Sequence, residues 1–419
     1  MQLELVLLVL ILVSGCDVGA KPSTSQPSPN PSSVIRQPPE STYTAPIVTQ
    51  ASTQESQALA PAHTNTLEAA SENMQTPSPA PTVAYLPDDS PISLSNVSNL
   101  REVALIRFEP WEMVTALDWS PDGRYLAVAA GNAVFLYALA PNGNSFKRLD
   151  QINVGSLTPS LAFSPPGDLL AAGSMDGWLR VWSITGLVNA GSQELLALQL
   201  AVEAHKKGVN WVAFSPGAEL LASAGNDAMV RLWDLQTGQP VRSIIGGTYV
   251  IPSVTFTQDG VYLAIANGPR VRFREVETGR MAVTLQADAG LYRLALSPDG
   301  ATLAAGALDG SVWLWQSPTA PLDPNRETEP LTFFPDDGQT NSDAFMWALQ
   351  YNMQGNLLAA ASTDARIYFF DAIRGDLVHT LQGHSDAVSA LRFNPQGTSF
   401  VSGGLDATVR LWKVAKDLP

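Results

Sequence analysis

The sequence predicts an all-β fold, a ring of four-stranded antiparallel blades. Three observations carry it: a recurrent turn, short strands on either side of each turn, and the spacing between turns. Seven times an alternating apolar strand runs into a turn: Ser120-Pro-Asp-Gly123, Ser164-Pro-Pro-Gly167, Ser215-Pro-Gly-Ala218, Thr257-Gln-Asp-Gly260, Ser297-Pro-Asp-Gly300, Asn352-Met-Gln-Gly355 and Asn394-Pro-Gln-Gly397. Successive turns lie 44, 51, 42, 40, 55 and 42 residues apart. After each comes a strand of small residues such as Leu220-Leu-Ala-Ser-Ala224, a turn with Asp or Asn, and a third strand such as Val230-Arg-Leu-Trp233. A meander of this kind with a period of roughly 40–45 residues is the sequence form of a propeller blade. Seven turns therefore predict seven blades.

These residues resemble the WD-repeat family, and the resemblance covers residues 103–413. One repeat carries the Trp233-Asp234 dipeptide and the following Thr237-Gly238 turn. In that family a His before the first strand, a Ser in the second, an Asp in the next turn and a Trp in the third form a buried hydrogen-bonded tetrad. The resemblance assigns those roles to His205, Ser223, Asp227 and Trp233, and again, at identical spacing, to His384, Ser402, Asp406 and Trp412. The same residue types make a hydrolase triad. Repetition at the same blade position, with Ser inside a small-residue strand, favours the structural reading. Elsewhere Asp176, Asp309 and Asp364 keep the turn acid while Ala172, Ala305 and Ala360 replace the Ser, which leaves a partial network. The Trp position holds, in order, Tyr137, Trp182, Trp233, Arg274, Trp315, Phe370 and Trp412, so the fourth blade is expected to be the least stable.

The family's repeat is offset from its blade, and only Ala415 to Pro419 follow the third strand of the last blade. Upstream, Val103–Phe108 alternates like a strand and has no blade of its own. It is expected to complete the last blade and remove its exposed edge.

The N-terminal region has a different character. Leu5 to Val13 reads LVLLVLILV, the length of a signal-peptide apolar core and about half the ~20 residues of a membrane-spanning helix. Val13-Ser14-Gly15-Cys16 resembles the lipobox of bacterial lipoproteins, which implies cleavage after residue 15 and lipidation (palmitate) of Cys16. Met1 to Glu4 departs from the usual signal in carrying no Lys or Arg. From Asp17 to Ser98 there are 13 prolines and no Phe or Trp. Such a stretch buries too little to offset its ordering entropy. The expected organisation is a signal peptide at 1–15, a disordered tether at 16–98 and a seven-bladed propeller at 99–419.

The net charge of −15, from 24 Lys+Arg against 39 Asp+Glu, argues against nucleic-acid binding. One cysteine and four histidines leave no disulfide framework and no zinc set. The acids of the insertion between Ser317 and Asp343 do not have calcium-loop spacing. No catalytic, cofactor-binding or metal motif is expected. WD-repeat propellers dock partners on the face formed by residues flanking the start of each first strand, and here those are uncharged. Met113, Tyr292, Phe345 and Trp347 are the partner-binding candidates. The expectation is a monomeric, non-catalytic interaction scaffold that takes a protein or peptide on this top face and is held at the outer side of a bacterial membrane through Cys16. The alternative is an extracytoplasmic sensor or enzyme that binds a small ligand or metal in the propeller channel.

Overall fold

The computed structural model describes residues 86–184, 196–316, 330–335 and 344–416. The signal segment, Cys16, the tether as far as residue 85 and most of the acidic insertion lie outside the described residues. Within them the chain is a seven-bladed β-propeller of antiparallel sheets. The innermost strands are Val114–Trp119, Ser160–Phe163, Val209–Phe214, Val254–Phe256, Leu291–Leu296, Met346–Tyr351 and Val388–Phe393. Each packs against the next and the seventh packs against the first, so the ring closes. The outermost strands of blades one to six are Phe146–Asn153, Ala197–Glu203, Pro240–Ile245, Met281–Gln286, Leu331–Phe333 and Leu377–Gln382.

Side-chain size follows position in the blade. The second strands, such as Leu357–Ser362 and Ser399–Gly404, are buried throughout because a neighbouring blade covers each face, and their small residues allow close approach. At the rim only one face is covered, and Met281–Gln286 buries a single residue, Leu285. Apolar burial divides into seven cores, one at each junction between blades. The first and second blades, for example, share Leu136, Leu161, Phe163 and Trp182.

The innermost strands present an unpaired edge to the channel, and an unpaired backbone N–H is costly to bury. Side chains of the preceding blade satisfy several of these groups. Asp118 accepts from Phe163 N–H at 2.7 Å, Ser160 from Val212 at 3.0 Å, Ser253 from Leu294 at 3.2 Å and Gln350 from Phe393 at 2.7 Å.

The seventh blade closes as expected: Leu100–Arg107 pairs antiparallel with the last strand, Thr408–Lys416, with Leu105 opposite Arg410. The propeller takes in chain before residue 99, however. Leu86–Asp88 also pairs with the last strand, and Val414 has Leu100 as one partner and Asp88 as another. The end of the last strand is therefore held on both sides by N-terminal chain. Between these two strands Ile92 and Val97 are fully buried in the core shared by blades six and seven, against Phe369, Phe400 and Trp412. Ile92 N–H donates to the Gly397 carbonyl, and Asn352 donates to the Ile92 carbonyl. The last part of the expected tether is thus structural, because two apolar side chains among prolines and serines fill one junction.

Truncating Ile92 to Ala should lower stability by about 2–4 kcal/mol, the cost of a buried Ile-sized cavity. Denaturant unfolding of the full-length chain measures it; an unchanged midpoint would mean that residues 86–98 do not hold the ring.

Candidate functional site

Both sequence-predicted tetrads are assembled. Trp233 Nε1–H donates to Ser223 Oγ at 2.9 Å, Ser223 lies 2.9 Å from His205 Nε2, and His205 Nδ1 lies 2.7 Å from Asp227. In the last blade Trp412 Nε1–H donates to Ser402 Oγ at 2.8 Å, His384 Nε2 lies 2.7 Å from Ser402, and Nδ1 lies 3.0 Å from Asp406. Each Ser oxygen is occupied by the Trp donor and lies in a fully buried strand. A nucleophile must reach substrate, so this geometry ties three strands together and performs no acyl transfer. Where Ala305 replaces the Ser, Trp315 Nε1 is left buried without a partner, and Trp313 donates instead to Ser311, which is bonded to Asp309. At Arg274 the guanidinium reaches the Gly279 and Ile245 carbonyls while its Nε has no partner.

The face above the channel is shaped by a shared distortion. Five innermost strands slip register around their second residue: Thr115, Asn210, Tyr292, Trp347 and Ser389. A bulge re-aims the side chain of the extra residue. The polar three tie blades together, with Thr115 donating to the Thr158 carbonyl, Asn210 to that of Ile251 and Ser389 to that of Val114. The two aromatic ones form a separate cluster, belonging to none of the seven junction cores, with Ala387, Leu308, Phe345 and Leu405. Phe345 lies 5.9 Å from Tyr292 and 5.5 Å from Trp347, ring to ring.

Most of the partner-binding candidates are covered. Tyr292 and Trp347 are each 8% exposed, as is Met113, and Phe345 alone is half-buried. The aromatic residues hide one another where blades five, six and seven converge. Phe345 is the most exposed ring of that cluster.

Beneath this rim the channel encloses a cavity of about 290 Å³, lined by the innermost strands of all seven blades. Sequence reasoning overlooked its three ions. Arg392 pairs with Asp118 at 3.2 Å across the junction of blades seven and one. Burial raises the Asp118 carboxyl, against the opposing pull of Arg392. Arg293 is 5% exposed and sits with its guanidinium 4.5 Å from the Trp211 ring and 4.4 Å from that of Tyr292. A signal for it existed. Four residues before each recurrent turn the blades carry Ala116, Ser160, Trp211, Ser253, Arg293, Ala348 and Ala390, and only two of these are large. Among the described residues no three His, Cys, Asp or Glu side chains converge as a metal site would need.

A seven-bladed ring of antiparallel blades with two buried tetrads defines the class of protein. Five stretches, residues 107–137, 155–183, 197–234, 279–316 and 375–413, match the WD domain, G-beta repeat family, and they support a WD-repeat family for the chain. The chain is 29% identical over 222 residues to the Nuclear distribution protein PAC1 of Arthroderma benhamiae, an overlap of 52% of this chain and 38% of that protein. It is 29% identical over 291 residues to the WD repeat-containing protein SL1-17 of Schistosoma mansoni, covering 59% and 90% of the two chains. To the Small ribosomal subunit protein RACK1y of Oryza sativa subsp. japonica it is 29% identical over 161 residues, covering 36% and 45%. The chain thus matches well under two thirds of the length of PAC1.

Two titrations follow from the tetrads. Burial lowers His205 below its ordinary 6.5 despite the nearby Asp227. Burial would raise Asp406, but His384, Thr408 and the Ser385 N–H outweigh it and hold the carboxyl at about 2 against an ordinary 3.8. The unfolded imidazole takes a proton before the buried one, so stability should begin to fall as pH drops below 6.5. A second loss of about 2 kcal/mol should follow between pH 4 and pH 2, as the unfolded carboxylate protonates ahead of the folded one. Denaturant midpoints across this range test both limbs, and Asp406→Asn should flatten the lower one.

Proposed function

We propose that this chain is a non-catalytic protein-interaction scaffold that docks a protein or peptide on the rim where blades five, six and seven meet. The observation that carries it is the aromatic cluster of Tyr292, Phe345 and Trp347. It contributes to no junction core, and its most exposed ring is Phe345. Aromatic side chains in such settings anchor interfaces. The family matches and relatives support the scaffold role. The tetrads, whose residue types resemble catalytic machinery, are consumed in holding strands together.

A photo-crosslinking residue at Phe345 in cells should capture a defined protein, and the same residue at Ile245 on an outermost strand should not. Equal capture at both sites would remove the rim from consideration. Trp347→Ala is expected to lose stability along with binding, since Trp347 is packed beneath Phe345.

The scaffold acts, in this proposal, at the outer side of a bacterial cytoplasmic membrane as a monomer anchored by lipid on Cys16. The apolar run Leu5 to Val13 and Val13-Ser14-Gly15-Cys16 support this reading. A lipoprotein's multiple acyl chains would hold it stably where one chain would not. Palmitate labelling should be lost in Cys16→Ser; equal labelling of the wild type and the variant would exclude the anchor.

A further inference from the structure

Among the described residues Arg293 is an ion without a counterion. Its side chain lines the channel cavity, yet among the described residues no carboxylate lies within ion-pairing distance of it. Its Nη1 donates to the Pro252 carbonyl at 2.5 Å, and its faces are covered by Trp211 and Tyr292. Removing a charge from water without a partner is strongly unfavourable, and cation–π contacts return only part of that cost. Among the described residues the only other ions lining this cavity are Asp118 and Arg392, which are committed to each other, with Asp118 also holding Phe163 N–H. Two guanidiniums and one carboxylate give this described lining one net positive charge. Burial pushes Arg293 below the usual guanidinium range against the opposing pull of Tyr292, with the like charge of Arg392 adding less, the direction expected for an unneutralised cation.

We propose that the channel binds a carboxylate at Arg293. The planar guanidinium matches a carboxylate in a two-pronged pairing, and a single negative charge neutralises the channel. A doubly charged phosphate would overcompensate and face Asp118 in a low-dielectric space. The cavity, about 290 Å³, is near the lower bound of small-ligand sites. It suits an acidic side chain or a small organic acid. Tyr292 covers one face of Arg293 and also belongs to the rim cluster, so the site lies directly beneath the docking rim. For a carboxylate delivered by a protein this proposal rests on the scaffold reading; for the site itself it does not.

Calorimetric titration of the full-length protein with three probes tests it: a blocked tetrapeptide containing Glu, its Gln counterpart, and propionate. The Glu peptide should bind at least ~10-fold more tightly than the Gln peptide. That preference should vanish in Arg293→Met, a variant that keeps the apolar contacts with Trp211. Arg293→Lys should retain part of it. Equal affinity of the two peptides for the wild type, preference retained in Arg293→Met, or no binding of any probe at about 10 mM overturns the proposal. Propionate binding that depends on Arg293, with neither peptide binding, upholds the carboxylate site and counts against the scaffold reading. Should Arg293→Met fail to fold, Asp118→Asn decides. Its added positive charge should tighten Glu-peptide binding, and unchanged or weaker binding would refute the site.

Discussion

The seventh junction is the interaction on which the rest of the propeller depends. Each blade is a thin sheet that buries apolar surface only against its neighbours, so an open row of seven would leave two terminal faces and one edge in water. Closure brings Val401, Val409 and Leu411 of the last blade against Val114, Leu117 and Phe135 of the first. What holds that junction shut is covalent order. The outermost strand of the seventh blade, Leu100–Arg107, precedes the first blade in sequence, so opening the ring requires stripping a strand from a sheet. Arg410 adds an ion pair with Glu102 across the same pairing. The register between Leu86–Asp88 and the last strand extends the clasp beyond the body of the blade, with Lys413 reaching Asp89 at 3.1 Å.

Once the ring is closed, individual blades tolerate departures that an isolated sheet would not. Ala228, Ala365 and Ala407 occupy left-handed conformations, with φ of 60°, 70° and 57°, at the turn position where other blades have Gly177 and Gly310. A Cβ there costs about 1–2 kcal/mol. Two of these strained turns belong to the blades with complete tetrads, where Asp227 and Asp406 bind the backbone N–H of Met229 and Thr408. The carboxylate that anchors the histidine also fixes the turn, and the strain is absorbed locally. Blade four has lost that arrangement and substitutes Asn267 and Arg272, which bond to each other and to the Tyr249 and Gly246 carbonyls. Its innermost strand is reduced to Val254–Phe256.

Much of this was legible in the sequence, and what was not has identifiable causes. The tetrads could be read because four residue types recur at fixed offsets within one blade, where local spacing determines geometry. The closing strand could be read because one alternating segment lacked a blade and one blade lacked a strand. Ile92 and Val97 escaped notice because composition averages over a window and two buried side chains among polar residues do not move the average. The burial of Tyr292 and Trp347 was equally hidden. It arises where three blades separated by long stretches of sequence converge, after a bulge has turned each side chain off the regular strand alternation. Arg293 was not legible because its entry into the channel depends on the bulge at Tyr292, which regular strand alternation does not reveal.

The bulge also relates the aromatic cluster to the charge in the channel. It places an aromatic ring from Tyr292 on the rim and the next residue, Arg293, into the channel, so a single innermost strand contributes both an apolar lip and a buried charge. The apolar rim supplies contact area but little discrimination among partners, since aromatic surface accepts most apolar groups. A desolvated cation discriminates strongly, because a neutral group in its place leaves the charge uncompensated in a low-dielectric setting, whereas a carboxylate removes that penalty. Affinity and selectivity would then come from adjacent residues on the same strand. Under that proposal, the partner would lead with an acidic group and follow with apolar ones.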